Sequence, residues 1–72
     1  MKKTYNLSDL DCAHCAAKME SEIAKIKGVD SVNINFIAQK LTLEADDGIF
    51  NEILKKAQET IKKIEPDCDI EF

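Results

Sequence analysis

Two cysteines and an aspartate stand together near the start of the chain, in the segment Leu10–Cys15 (LDCAHC). Cys12 and Cys15 are separated by two residues, and an amphipathic helical pattern begins at Cys15. A loop that runs into a helix N-terminus directs backbone N–H groups and the positive end of the helix dipole at its side chains. Such a position favours the thiolate, which is the metal-binding form of cysteine. The segment therefore predicts a soft-metal site formed by Cys12 and Cys15.

The carboxylate of Asp11 is a candidate third ligand, and it bears on which metal the cysteine pair would take. Two thiolates neutralise a divalent ion, so an added carboxylate leaves one negative charge; with Cu(I) the same three ligands leave two. Zn²⁺ takes about four ligands and accepts carboxylate oxygen, whereas Cu(I) is satisfied by soft sulfur. Asp11 thus favours Zn²⁺, Cd²⁺ or Pb²⁺ and disfavours Cu(I). The alternative is that Asp11 is a helix N-cap or a loop carboxylate.

The other potential ligands are expected to have structural roles. His14 is expected to face solvent, because three chelating side chains among four consecutive residues would strain the loop. Cys68 alternates with Ile70 and Phe72 and is expected to be a small buried residue. An acidic cluster near the end of the sequence could face the loop but is expected to be solvated; it consists of Glu59, Glu65, Asp67 and Asp69. The fourth ligand stays open between water, His14 and a carboxylate of another molecule.

The composition limits the class of protein. A chain of 72 residues with 44% hydrophobic residues indicates one small folded domain, residues 1–72. A net charge of −4 without a basic stripe argues against nucleic acid as a partner. No apolar run is long enough to span a membrane, and no signal-peptide core is visible, so a cytoplasmic chain is expected. Three cysteines fit a disulfide framework poorly.

Alternating and helical patterns predict six elements in the order βαββαβ. Strands are predicted at residues 3–7, 29–36, 40–45 and 67–72. The first helix is predicted from Cys15 to a C-cap at Gly28, and the second from an N-cap at Asp46-Asp47 to the residue before Pro66. Two amphipathic helices and four half-buried strands predict an α+β, ferredoxin-like fold, in which a four-stranded antiparallel sheet carries both helices on one face.

The segment LDCAHCAAKME (residues 10–20), together with GVDSVNINF (residues 28–36), resembles the heavy-metal-associated domain. The resemblance covers essentially the whole chain and implies a ferredoxin-like fold with the CxxC loop between the first strand and the first helix. Copper-binding members usually carry Met-Thr or Met-His before the first cysteine, where this chain has Leu10-Asp11. In this respect the chain looks more like the N-terminal domains of zinc-, cadmium- and lead-exporting P-type ATPases.

The resemblance implies a monomeric binding module that delivers a soft divalent metal to a heavy-metal efflux ATPase or senses the metal for it. The partners implied are the metal ion, the membrane ATPase core and a metal donor protein. One alternative is a free-standing cytosolic metallochaperone for copper or zinc. Another is a thiol–disulfide oxidoreductase, since a CxxC at a helix start also serves that chemistry. The domain itself is expected to have no catalytic residue.

Overall fold

The computed structural model describes residues 1–71 and confirms the ferredoxin-like βαββαβ order. The strands and helices follow the polarity patterns of their sequences, with buried residues at alternate strand positions and at helical spacing. Their bounds are β1 Lys2–Ser8, α1 Ala13–Ala24, β2 Val29–Asn35, β3 Lys40–Ala45, α2 Phe50–Ile64 and β4 Asp69–Glu71. Among residues 1–71, no helix is long and apolar enough to cross a membrane.

The four strands form one antiparallel sheet in the order β2-β3-β1-β4. In the central strand β3, the alternate residues Leu41 and Leu43 are fully buried, while their neighbours face away from the helices. Met19 and Ile23 of α1 and Ile61 of α2 join the same hydrophobic core. Both helices therefore pack on one face of the sheet, as the sequence predicts, and the β1–α1 loop emerges at one end of that sheet.

The two edge strands are each covered by a side chain from a helix. Glu20 of α1 accepts the backbone N–H of Ile34 in β2 at 2.7 Å, and Gln58 of α2 accepts that of Ile70 in β4 at 2.8 Å. Gln58 also donates to the carboxylate of Asp69 at 2.8 Å. These bonds satisfy backbone donors at the outer edges of the sheet, where an open edge would invite pairing with another chain.

The limits of α1 differ from the prediction at both ends. The helix begins at Ala13, two residues before Cys15, because the sulfur of Cys12 acts as the N-cap. The first turn is largely exposed and carries no apolar periodicity, so the sequence pattern indicates the helix only from Cys15 onward. The C-cap is Lys25, not Gly28. Gly28 instead has a φ of +104° in the following turn, where a Cβ would lie 2.6 Å from Cδ1 of Ile49.

The predicted N-cap of α2 at Asp46-Asp47 is wrong. The N-cap position is Ile49, which makes no side-chain capping bond. Asp46 instead stabilises the preceding turn, since its carboxylate accepts the N–H of Gly48 at 3.0 Å and its carbonyl accepts that of Ile49 at 3.1 Å. The turn chemistry of aspartate and its capping chemistry have the same sequence signature.

The last strand is shorter than predicted. β4 spans Asp69–Glu71, and Cys68 lies in the turn before it, where its N–H donates to the carbonyl of Glu65 at 3.0 Å. Cys68 and Ile70 are both buried, as their alternation predicts. Phe72, the third member of that predicted face, lies outside the described residues.

Candidate metal site

The loop that carries the cysteines is anchored in the core at Leu10, whose side chain is 1% exposed. β1 ends at Ser8, and Asp9 reverses the chain direction with a φ of +54°, a conformation that aspartate tolerates better than most residues. The next three residues lead into α1, which begins at Ala13. A buried leucine on one side and a helix on the other therefore hold the short segment from Asp11 to Cys12.

Cys12 and Cys15 are brought together by the start of the helix itself. Cys12 has extended backbone angles (φ −125°, ψ 116°), and its sulfur accepts the backbone N–H of Cys15 at 3.2 Å. A sulfur thus takes the place that a serine or aspartate oxygen usually has at an N-cap. Both side chains are half-buried and neither is part of a disulfide. The pair is therefore partly open to solvent at a helix N-terminus, with Cys15 packed against the core.

The two thiols differ in pKa. The pKa of Cys12 lies below its ordinary value, first because the Cys15 thiol donates a hydrogen bond to its sulfur and then because the Cys15 backbone N–H also does. The same thiol contact raises the pKa of Cys15 to about 11, and desolvation and the charge of Cys12 act in the same direction. Cys12 is thus the first of the two to ionise.

Glu65 is a neighbour of the pair whose importance was missed at the sequence level. After the larger effects of Cys12 and of desolvation, the charge of its carboxylate and then hydrogen bonding to that carboxylate also raise the pKa of Cys15. Its negative charge also opposes ionisation of Cys12. Glu65 is the C-cap of α2, immediately before Pro66, so the end of α2 lies near the metal loop. Of the acidic cluster that was expected to be solvated, Glu65 instead adds negative charge near the thiol pair, and Asp69 is paired with Lys62 and Gln58.

Asp11 and His14 are placed differently from the cysteines. Both side chains are exposed. Asp11 is not the N-cap, since Cys12 takes that position, so the N-cap alternative for Asp11 is wrong. Within residues 1–71, no group of three or more His, Cys, Asp or Glu side chains is arranged to hold a metal ion. The structure thus brings together two sulfurs, and ligation by Asp11 stays a prediction.

Cys68 lies in the hydrophobic core, as predicted. Its side chain is 0% exposed, and burial raises the pKa of its thiol to about 11, with the charges of Asp69 and Glu65 adding to the effect. A buried thiol with a raised pKa is a poor ligand, because the thiolate is the metal-binding form.

Replacing Cys68 by valine is therefore expected to leave cadmium affinity unchanged and to alter the free energy of unfolding by less than about 1.5 kcal/mol, since the volume is nearly kept. Cys68→Ser is the matched control, because a hydroxyl in this apolar site is expected to cost about 1–3 kcal/mol without affecting the metal. Urea unfolding and cadmium titration of both variants measure these effects. A large loss of affinity in Cys68→Val would place this sulfur in the coordination shell.

The fold and the site together define a small ferredoxin-like domain that presents a solvent-accessible dithiol at the start of its first helix. Its sequence matches the profile of the heavy-metal-associated domain over residues 4–67. The chain therefore belongs to the heavy-metal-associated domain family.

Similar proteins include metal-transporting ATPases and a small metallochaperone. The chain is 36% identical over 66 residues to the cadmium, zinc and cobalt-transporting ATPase of Bacillus subtilis (strain 168), covering 92% of the chain and 9% of that protein. It is 32% identical over 60 residues to the zinc/cadmium/lead-transporting P-type ATPase of Escherichia coli (strain K12), covering 83% and 8%. A solved CopZ metallochaperone superposes with a TM-score of 0.76 at 21% identity, covering 99% of this chain and all of that one. The chain thus spans less than a tenth of these two ATPases, whereas it spans the whole metallochaperone.

Proposed function

We propose that this chain binds a soft divalent metal ion, Zn²⁺, Cd²⁺ or Pb²⁺, through Cys12 and Cys15 with Asp11 as an oxygen ligand. We further propose that it delivers the ion to a heavy-metal efflux P-type ATPase, or regulates that ATPase, as its N-terminal domain on the cytoplasmic side of the membrane. The observation that carries the proposal is the pair of hydrogen-bonded, half-exposed thiols at a helix N-terminus.

The electrostatics of the pair favour a cation of charge two. Cys12 and Cys15 lie side by side at the start of the helix, where the Cys12 sulfur accepts the Cys15 N–H, so one metal ion could bind both sulfurs and binding would release the thiol protons. With both sulfurs ionised, the carboxylate of Glu65 makes the surroundings more negative still. A divalent ion neutralises more of this charge than Cu(I) does, which agrees with the charge count for Asp11. The cadmium- and zinc-transporting relatives support the same choice.

The exposure of the loop supports a role in transfer instead of storage. Cys12 and Cys15 are half-buried and Asp11 is exposed, so a partner protein can approach the ligands from solvent. A two-sulfur site leaves coordination positions open, and the metal could pass to an acceptor by exchange of one ligand at a time. A closed four-ligand cage would hold its ion as a structural site does.

A free-standing metallochaperone is a second candidate, since a solved metallochaperone has the same fold. In this candidate the same cysteine pair would carry copper or zinc, and the domain would not be covalently joined to an ATPase. The oxidoreductase alternative is less well supported, because the dithiol lies in a ferredoxin-like domain of a metal-binding family.

Titrating the reduced chain with Cd²⁺ and following the thiolate-to-cadmium absorption band tests the proposal. Saturation at one ion per chain, with competition by Zn²⁺, is the expected result. A chain that gives no band, but cycles between dithiol and disulfide with a protein thiol substrate, would support the oxidoreductase alternative instead. Tm should also rise with cadmium concentration, because a ligand that binds only the folded state stabilises it.

A further inference from the structure

The β2–β3 turn holds the metal loop through a single side chain. The Oε1 atom of Gln39 accepts the backbone N–H of Leu10 at 3.1 Å, and its Nε2 atom donates to the Leu10 carbonyl. The same Nε2 donates to the carbonyl of Phe36 at 3.2 Å, which fixes the amide within its own turn. Both backbone polar groups of Leu10 are therefore bound by one residue of a different segment.

The contact between Gln39 and Leu10 continues the pairing of β1 with β3 beyond the last paired residues of these two strands. Paired residues of β1 and β3 end at Asn6 and Lys40, and the next bond runs from the N–H of Leu7 to the carbonyl of Gln39 at 2.8 Å. After this bond the β1 chain turns toward the helix and has no backbone partner at Leu10. The side-chain amide of Gln39 supplies a donor and an acceptor in the place of a peptide group.

Gln39 has an uncommon backbone conformation that the surrounding structure must stabilise. Its φ is +56°, in the left-handed region where residues with a Cβ are uncommon. Strained backbone of this kind persists when the surrounding structure fixes it, and it concentrates at functional sites. At this position the left-handed turn directs the side chain to Leu10, immediately before Asp11 and Cys12.

We propose that Gln39 is a positioning residue for the metal site. By fixing the backbone of Leu10, it sets where Asp11 and Cys12 lie relative to Cys15 on the helix. The proposal rests on the metal-binding function proposed above and adds a residue that makes no contact with the metal. Partners that orient ligands from the next layer are generally worth about 10- to 100-fold in metal affinity, and a loss of about tenfold is expected here.

Gln39→Asn is the sharpest variant, because asparagine tolerates positive φ and keeps the amide but is one methylene too short to reach Leu10. The matched control is Asn35→Ala. The Asn35 side chain accepts the N–H of Ala38 at 3.0 Å, so this change loosens the same turn without touching the metal loop. Gln39→Ala is a second variant, which removes the amide altogether.

Two measurements on the reduced chain test the proposal: amide hydrogen exchange at Leu10 without metal, and cadmium affinity by competition with a chelator. In Gln39→Asn and Gln39→Ala, exchange at Leu10 is expected to accelerate about tenfold and cadmium affinity to fall about tenfold. Asn35→Ala should change neither quantity. Unchanged exchange at Leu10 would show that Gln39 does not fix the backbone of Leu10. Faster exchange with unchanged cadmium affinity would show that the contact between Gln39 and Leu10 does not position the metal ligands. Both results overturn the proposal.

The outcomes separate this proposal from the one it rests on. If the parent chain itself fails to bind cadmium, the proposed function is wrong, and the positioning role is overturned with it. If the parent binds cadmium and the Gln39 variants bind it equally well, the proposed function stands and only the role of Gln39 is wrong. Urea unfolding of each variant confirms that affinities are compared between folded chains.

Discussion

Replacing Cys12 and Cys15 together by serine is expected to abolish cadmium binding and to leave the fold intact. Serine hydroxyls do not ionise near neutral pH and are hard oxygen donors, so a soft ion loses both of its principal ligands. Serine is also a good N-cap, so the hydroxyl introduced by Cys12→Ser would retain the capping bond that the sulfur now accepts from the N–H of Cys15. The free energy of unfolding is therefore expected to change by less than about 1 kcal/mol.

Cadmium titration by absorption and urea unfolding of the metal-free chain measure the two effects. Cys68→Val is the control, because it removes a thiol and leaves the pair. The hydrophobic core supports an intact fold in the double variant, since Leu10, Met19, Ile23 and Ile61 are fully buried whereas the two cysteines are only half-buried. If the variant unfolds, the metal site is structural in the manner of a zinc finger, and the proposed transfer function is wrong.

The fold was predictable because its elements carry clear polarity patterns. The alternation of Leu41 and Leu43 with polar neighbours defined β3, and the helical spacing of Met19 and Ile23 defined the buried side of α1. The errors concern the ends of elements. Periodicity is absent in an exposed first turn, so the start of α1 was placed too late. The carboxylate of Asp46 could cap a helix or a turn equally well, and only the structure shows which.

The site was predictable only as far as local sequence determines it. Cys12 and Cys15 are neighbours on one helical turn, so their spacing alone brings the sulfurs together. Glu65 and Gln39 reach the loop from distant segments, through the end of α2 and the β2–β3 turn. Their placement depends on how the helices and strands pack, and residue spacing along the sequence does not predict that packing. The positive φ of Gln39 likewise has no sequence signal, because the residue is not glycine.

Replacing Asp11 by alanine is expected to shift metal preference from divalent ions toward Cu(I). The substitution removes one anionic oxygen and leaves both thiolates, so Zn²⁺ and Cd²⁺ become under-coordinated and are expected to bind at least about tenfold more weakly. Cu(I) needs only soft sulfur and is expected to bind as well as before or better. The thiolates set the absolute affinities, and selectivity is the ratio between two metals. Competitive titration of Zn²⁺ and Cu(I) under reducing conditions measures this ratio in the parent and the variant.

Asp9→Asn is the matched control for charge, because it removes a carboxylate from the same exposed loop while asparagine keeps the positive φ of that residue. If general electrostatics controlled the preference, both variants would shift the ratio by similar amounts. A shift confined to Asp11→Ala would identify a direct oxygen ligand. Since Cys12 already caps the helix, an unchanged ratio would mean that Asp11 is a solvated loop carboxylate. The preference for a divalent ion would then depend on Glu65 and the rest of the charge around the thiols.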